Sequence, residues 1–134
     1  MKTFILIVSM VLLVWGADFE WIHDYQKALD LAKKEHKPVM VMISQPNCPT
    51  CEYMDDVAFE TESLSEYVEN YFIPLKLSLA KAKALGFKAY GTPTFYFLDA
   101  NGSKITRALV GGATAKTFLA KLQEIRSVYA HQKR

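Results

Sequence analysis

Cys48 and Cys51 are the only two cysteines of the 134-residue chain, and between them lie Pro49 and Thr50. A Cys-X-X-Cys that follows an apolar run (residues 39–43) and opens a helical pattern reads as a redox pair. The physical reason is local. A thiol in the first turn of a helix faces backbone N–H groups without partners, at the positive end of the helix dipole. Both favour the thiolate, which is the form that attacks disulfides. Pro49 suits the first helical position, because its φ is fixed there and its missing N–H is not needed. Two plainer readings stand beside this one, a structural disulfide and half of a zinc site. A disulfide closing so short a loop stabilises a fold little. Zinc takes about four ligands, and His23, His36 and His131 are scattered without paired spacing. The redox dithiol is favoured, with no metal and no cofactor beyond the Cys48–Cys51 pair itself.

Such a pair works only if secondary structure holds it at an accessible edge. Residues 39–43 are continuously apolar, as in a strand buried on both faces of an α/β sheet. Ser44 to Asn47 then form the loop that delivers Cys48 to the strand's C-terminal edge, where open α/β sheets carry their reaction sites. Upstream, residues 19–36 read as a helix, with Tyr25, Ala28, Leu29 and Ala32 recurring at helical spacing. Asp24 is its N-cap, Lys33 and Lys34 fall in its last turn, and Pro38 ends it. Downstream, a helix through about Phe59 turns Met54, Val57 and Ala58 inward and leaves Glu52, Asp55, Asp56 and Glu60 as a solvated acidic face. Ser63 to Glu66 is a capping-box pattern that opens another helix through Asn70.

Residues 72–78 alternate, so a strand with one wetter face is expected, with Pro74 at an edge or a strand start. Residues 80–85 form a short helix ended by Gly86. Gly91 to Thr94 lead into an aromatic strand, residues 95–98. A hairpin turn at residues 99–102 follows, and residues 104–110 return antiparallel. Gly111 and Gly112 break that strand, and Thr114 caps a final helix carrying Phe118, Leu119, Leu122, Ile125 and Tyr129 on one face. Strands alternating with helices, then a hairpin and a helix, predict an α/β fold: a three-layer α/β/α sandwich around a mixed sheet.

The chain is long enough for one domain with its own core. It is 51% hydrophobic and 22% charged, with a net charge of +2. It shows neither a basic run before its last few residues nor a Gly-rich phosphate loop, so nucleic acid is not an expected partner. Residues 1–17 differ from the rest. Lys2, then the uncharged residues 4–15, then Gly16 and Ala17 match a secretory signal. The stretch is shorter than the ~20 residues that span a bilayer. Cleavage after Gly16 is preferred to cleavage after Ala17, which would put the bulky Trp15 in a small pocket. The expected division is a signal peptide, 1–17, and a domain, 18–134, without a membrane span. His131 to Arg134 is not an ER-retention tetrapeptide. A periplasmic location is therefore expected, with secretion or anchoring by the N-terminal segment as alternatives.

The chain resembles the thioredoxin-fold superfamily over residues 19–128, and in particular its exported thiol:disulfide interchange proteins. The likeness rests on the apolar strand before Cys48-Pro49-Thr50-Cys51, on Gly91-Thr92-Pro93-Thr94 about forty residues later, and on the Gly-Gly before the last helix. It implies that Pro93 is cis and lies beside Cys48. It also implies that the Thr92 backbone offers N–H and C=O to an extended peptide, in the manner of strand addition. Cys48 would attack and Cys51 would resolve, with Asn47, Pro49 and Thr50 supporting them. Expected partners are protein thiols or disulfides and a protein that recycles the pair, acting on a monomer.

Three departures matter. Asn47 stands where thioredoxin has Trp, so one wall of the peptide groove is smaller and polar. Met42 stands where thioredoxin has a buried Asp, so resolution by Cys51 needs water or another group, with Glu52 a candidate. Pro-Thr replaces Gly-Pro between the cysteines. Strongly oxidising relatives carry His there, whereas Thr50 adds at most a hydroxyl hydrogen bond, so a reductase or isomerase-like role is favoured over a strong oxidase. Two other readings are a peptide-binding, chaperone-like module using the Pro93 groove and Tyr90, and a subunit dedicated to one redox partner.

Overall fold

A computed structural model describes residues 19–133. The signal segment predicted over residues 1–17 lies outside the described residues.

The apolar run becomes β1 (Val39–Ser44), and it sits inside the sheet. Together with β2 (Ile73–Ser78), β3 (Thr94–Leu98) and β4 (Leu109–Val110) it forms one sheet in the order β2-β1-β3-β4. β1 runs parallel to β2 and antiparallel to β3, so the sheet is mixed. The lack of alternation in β1 has a direct cause. Met40 and Met42 point into one core, Val39, Val41 and Ile43 into another, and all five are fully buried. Each such burial is worth roughly 1.5–3 kcal/mol against exposure.

Helices close both faces. α1 (Tyr25–Glu35) and α4 (Leu79–Ala84) bury Ala28, Ala32 and Ala82 in the second core. α2 (Pro49–Tyr53) runs straight into a π turn (Met54–Ala58); these, α3 (Glu62–Tyr71) and α5 (Ala115–Gln132) bury their apolar sides in the first core. The three layers and the mixed sheet agree with the sequence reading. Asp24 caps α1 by accepting from the Lys27 N–H at 2.8 Å, and Thr114 caps α5.

Four local expectations need correction. The helix predicted from residue 19 begins at Tyr25. The preceding segment is extended, because the open edge of β2 takes it up. Ile22 N–H donates to Pro74 O and Lys76 N–H donates to Ile22 O, both at 2.8 Å. Ile73 N–H faces Pro38 and Lys76 N–H faces Ile22, so alternation turns the Pro74 nitrogen to the outer edge, where its missing donor leaves the β1 ladder intact. Second, Val57 faces outward and is 52% exposed. Phe59 N–H reaches back five residues to Met54 O, and the wider π turn keeps Met54 and Ala58 inward while rotating Val57 out. Third, α3 is capped at Thr61, not Ser63, and the Thr61 hydroxyl donates to Val57 O instead of capping the helix. Fourth, the return strand is broken. Three steps on β3 from Phe95 to Leu98 face five from Leu109 back to Lys104, so two extra residues bulge out between them.

Phe59 joins these parts. Its ring meets Phe19, Trp21, Phe95 and Phe118 edge-on, at centroid distances between 5.3 and 6.2 Å. It thereby ties the N-terminal segment, β3 and α5 to the helix that follows the cysteines. Phe59→Ala is expected to cost roughly 3–5 kcal/mol. Urea unfolding followed by circular dichroism measures this, and a loss below about 1 kcal/mol would contradict the central role given to the ring.

Candidate functional site: the Cys48–Cys51 pair

The chain leaves β1 through an exposed loop and turns at Asn47, whose φ of 56° lies in the left-handed region. Asparagine tolerates that region better than most side chains, because its short polar group bonds locally. The turn sets Cys48 in extended conformation as the N-cap of α2, with Pro49 at the first helical position. Cys48 and Cys51 are joined as a disulfide, with Cα atoms 5.2 Å apart. Cys48 is 7% exposed and Cys51 3%, so Cys48 is the more exposed residue of the two.

The surroundings of Cys48 Sγ are hydrogen-bond donors. The Cys51 N–H donates to it at 3.2 Å, doing the work that a Ser or Asp oxygen does at other helix starts. The Thr92 hydroxyl donates to it at 3.4 Å. Thr92 O also lies 3.4 Å away, where it can accept from the reduced thiol. On reduction, the carbonyl would favour the neutral thiol and the two donors the thiolate. Thr92 is joined to Pro93 by a cis peptide, and the Pro93 carbonyl accepts from Gly111 N–H at 2.8 Å.

The remaining residues singled out in the sequence divide clearly. Pro49 and Thr50, between the cysteines, are exposed, and Pro93, next to Thr92, is buried. The methyl of Thr50 turns toward Gly112, so the donors reaching Cys48 are the Cys51 amide and the Thr92 hydroxyl. Met42 is fully buried beneath the site. Glu52 is exposed, and its N–H donates to Cys48 O at 3.1 Å. Tyr90 is 93% exposed.

Gly112 is a support that sequence reasoning read as a strand breaker and as part of the Gly-Gly before the last helix, without its contacts. A Cβ there would come within 2.7 Å of Thr50 Cγ2 and 3.3 Å of Met54 Sδ. The absence of a side chain therefore lets the segment before α5 lie flat on the redox helix. Ala113 N–H completes the contact by donating to Met54 Sδ at 3.4 Å. Its sequence signal is a glycine pair just ahead of a helix cap. Pro49, Thr50 and Tyr53 face Gly112, Ala113 and Thr114 across a shallow open groove. A larger cavity, about 660 Å³, lies near the opposite end of β1, around Pro38, Tyr71 and Arg126, away from both sulfurs.

Asp55 is the other unanticipated element. Both its carboxylate oxygens accept from Lys76 Nζ at 2.7 Å, and Lys76 also lies over the Trp21 ring at 4.8 Å. Lys76 is the register partner of Met42. A charged pair thus flanks the position where β1 itself is apolar. Among the described residues, no group of three or more His, Cys, Asp or Glu side chains is placed to hold a metal ion.

Comparison with known proteins agrees with this fold. The family model described as Thioredoxin-like domain matches residues 25–126. Anterior gradient protein 3 of Mus musculus is 33% identical over 63 residues, which is 47% of this chain and 38% of that protein. Thiol:disulfide interchange protein DsbD of Vibrio vulnificus is 27% identical over 111 residues, 78% of this chain and 18% of that protein. The chain therefore spans well under half the length of these relatives. A thioredoxin from Thermus thermophilus superposes with a TM-score of 0.67 at 26% identity, covering 81% of this chain and 87% of that one.

The donor role of Thr92 is open to direct measurement. Thr92→Val removes the hydroxyl and keeps the shape. In the reduced protein it is expected to slow alkylation of Cys48 by iodoacetamide at pH 6 about fivefold, for the loss of roughly 1 kcal/mol of thiolate stabilisation. Thr92→Ser should recover most of the rate. A Val variant that reacts as fast as the native protein would remove Thr92 from the site.

Proposed function

We propose, for a chain that belongs to the thioredoxin-like domain family, that it is a protein thiol:disulfide oxidoreductase acting through Cys48 and Cys51. One observation carries the proposal: Cys48 Sγ is the N-cap acceptor of α2 and at the same time the partner of the Thr92 hydroxyl. A sulfur so placed is stabilised as a thiolate and lies at the edge of the molecule.

In the reducing direction, the Cys48 thiolate attacks one sulfur of a partner disulfide. That bond breaks, the far sulfur leaves as a thiolate, and Cys48 is left in a mixed disulfide. Cys51 then loses its proton and attacks Cys48 Sγ, expelling the second partner sulfur. Two electrons pass to the partner, and the Cys48–Cys51 disulfide remains. The extended partner segment would lie along Thr92 and Pro93, with Asn47, Pro49 and Thr50 forming the rim. Reduction or isomerisation is favoured over strong oxidation. The thiolate here is held by one amide and one hydroxyl, with no cationic side chain between the cysteines, and weaker stabilisation of the reduced form makes a weaker oxidant. The pattern of residues 1–17 supports export to the periplasm, where a redox-recycling protein would have to reset the pair. DsbD, by its printed name a thiol:disulfide interchange protein, is a relative compatible with that setting. Among the described residues no helix is long and apolar enough to cross a membrane.

Cys51→Ser tests the reading, because it stops the reaction at the mixed disulfide. Expressed in its own compartment, this variant is expected to hold partner proteins on Cys48, separable by reducing gel electrophoresis. The native protein should reduce insulin with dithiothreitol present, and Cys48→Ser should lower that rate to background. Insulin reduction unaffected by Cys48→Ser, or an absence of trapped partners together with an inert native protein, would overturn the assignment.

A further inference from the structure

The helix that begins at Cys48 also presents an unpartnered outer face of unusual composition. Tyr53 and Val57, one turn apart, are 39% and 52% exposed. Val57 is outward because of the π turn, whereas regular helical spacing would have turned it toward the core. Beside this apolar pair runs a stripe of exposed carboxylates, Glu52, Asp56 and Glu60, at i, i+4 and i+8. α3 carries three more, Glu62, Glu66 and Glu69, at i, i+4 and i+7, all exposed.

The segregation is strong. Residues 52–69 hold seven of the chain's fourteen carboxylates and no Lys, Arg or His. Residues 70–134 hold eleven Lys and Arg against only Asp99 and Glu124. Asp55 is neutralised by Lys76, and none of the other six carboxylates is in an ion pair among the described residues. The molecule is mildly basic overall, yet negative where the redox helix faces out.

We infer that this face docks partner polypeptides that carry basic residues beside their disulfide, with an apolar residue set against Tyr53 and Val57. The inference rests on the oxidoreductase reading above and names its substrate class. Distance supports it. Nine residues of helix put Val57 about 14 Å from Cys48, within the radius of roughly 16 Å implied by a standard interface burying ~800 Å² per partner. A partner whose disulfide reaches Cys48 is therefore also within reach of Glu52 and Asp56, with Glu60, about 18 Å along, at the rim. Charge then selects. Lys and Arg on the partner meet a field of opposite sign, whereas an acidic partner meets repulsion at short range. Because the net charge of the chain is +2, the attraction is local and should be screened within about 8 Å at physiological salt.

Three synthetic disulfide-loop peptides, flanked by Lys-Arg, by Ser-Gly or by Glu-Asp, provide the test. With the reduced full-length protein at about 20 mM salt, stopped-flow reduction of the basic peptide is expected to be at least ~10-fold faster than that of the acidic one. At 0.5 M salt the ratio should fall below about twofold. The triple variant Asp56→Asn/Val57→Ser/Glu60→Gln should bring the low-salt ratio toward one. Equal rates for the charged peptides, or a ratio that survives both salt and the triple variant, would overturn the docking proposal. Binding of the same peptides with Ser in place of Cys, read by fluorescence anisotropy, follows docking without chemistry. If no peptide is reduced, the oxidoreductase reading fails, while tighter binding of the basic Ser peptide would still uphold the acidic face and equal binding would reject it.

Discussion

The fold is arranged around one backbone amide, the N–H of Cys51, and the sulfur it reaches. A helix start needs an acceptor for its unpaired donors, and in this chain the acceptor is Cys48 Sγ. Sulfur is a poor acceptor as a thiol and a good one as a thiolate, so the helix is better capped when Cys48 is ionised. Everything nearby keeps that geometry in place. The left-handed turn at Asn47 aims Cys48 at the helix, and Pro49 fixes the first turn. Gly112 lets the segment before α5 press on Thr50 and Met54, and Phe59 locks the far end of the same helical run into the aromatic core.

The mixed sheet explains how two segments about forty residues apart meet. β1 delivers Cys48 at its C-terminal edge, and β3 is antiparallel to β1, so β3 starts where β1 ends. Ile43 pairs with Thr94, which places the Thr92–Pro93 segment just past the end of the β1–β3 ladder, on the side of the sulfur. Had β3 run parallel to β1, its start would lie at the opposite end of the sheet. The juxtaposition is a property of topology before it is a property of any side chain.

Much of this was legible in the sequence, and the failures have identifiable causes. The pair's placement followed from an apolar run, a proline and a helical pattern, which are local signals. So did the caps at Asp24 and Thr114, the turn at residues 99–102, and the buried stripe of α5. What escaped depended on nonlocal demands. Residues 19–22 scan as part of a helix because Tyr25 and its followers continue the period, yet the unpaired edge of β2 claims Ile22. The π turn has no simple periodic signature, so Val57 was assigned to the core it leaves. Gly112 looked like punctuation, because the close approach it permits involves Thr50 and Met54, about sixty residues earlier. The Asp55–Lys76 pair could not be seen until β2 was placed beside β1.

The absence of an acid at position 42 has a further structural consequence. β1 is apolar toward both cores, so no ionisable group of the strand lies beneath the disulfide. Asp55 is engaged by Lys76, and Glu52 is exposed. Near Cys48, the groups within hydrogen-bonding distance are dipoles: an amide, a hydroxyl and a carbonyl. The amide and the hydroxyl stabilise an anion without adding a charge that must itself be solvated, whereas the carbonyl oxygen favours the neutral thiol. Two such donors stabilise it less than a neighbouring cation does. On the proposed reading, a site of this kind suits reduction or isomerisation more than strong oxidation. The charges of this protein are then free to act elsewhere, on the outer face of the same helix, where they meet the partner and leave the sulfur's own electrostatics to the backbone.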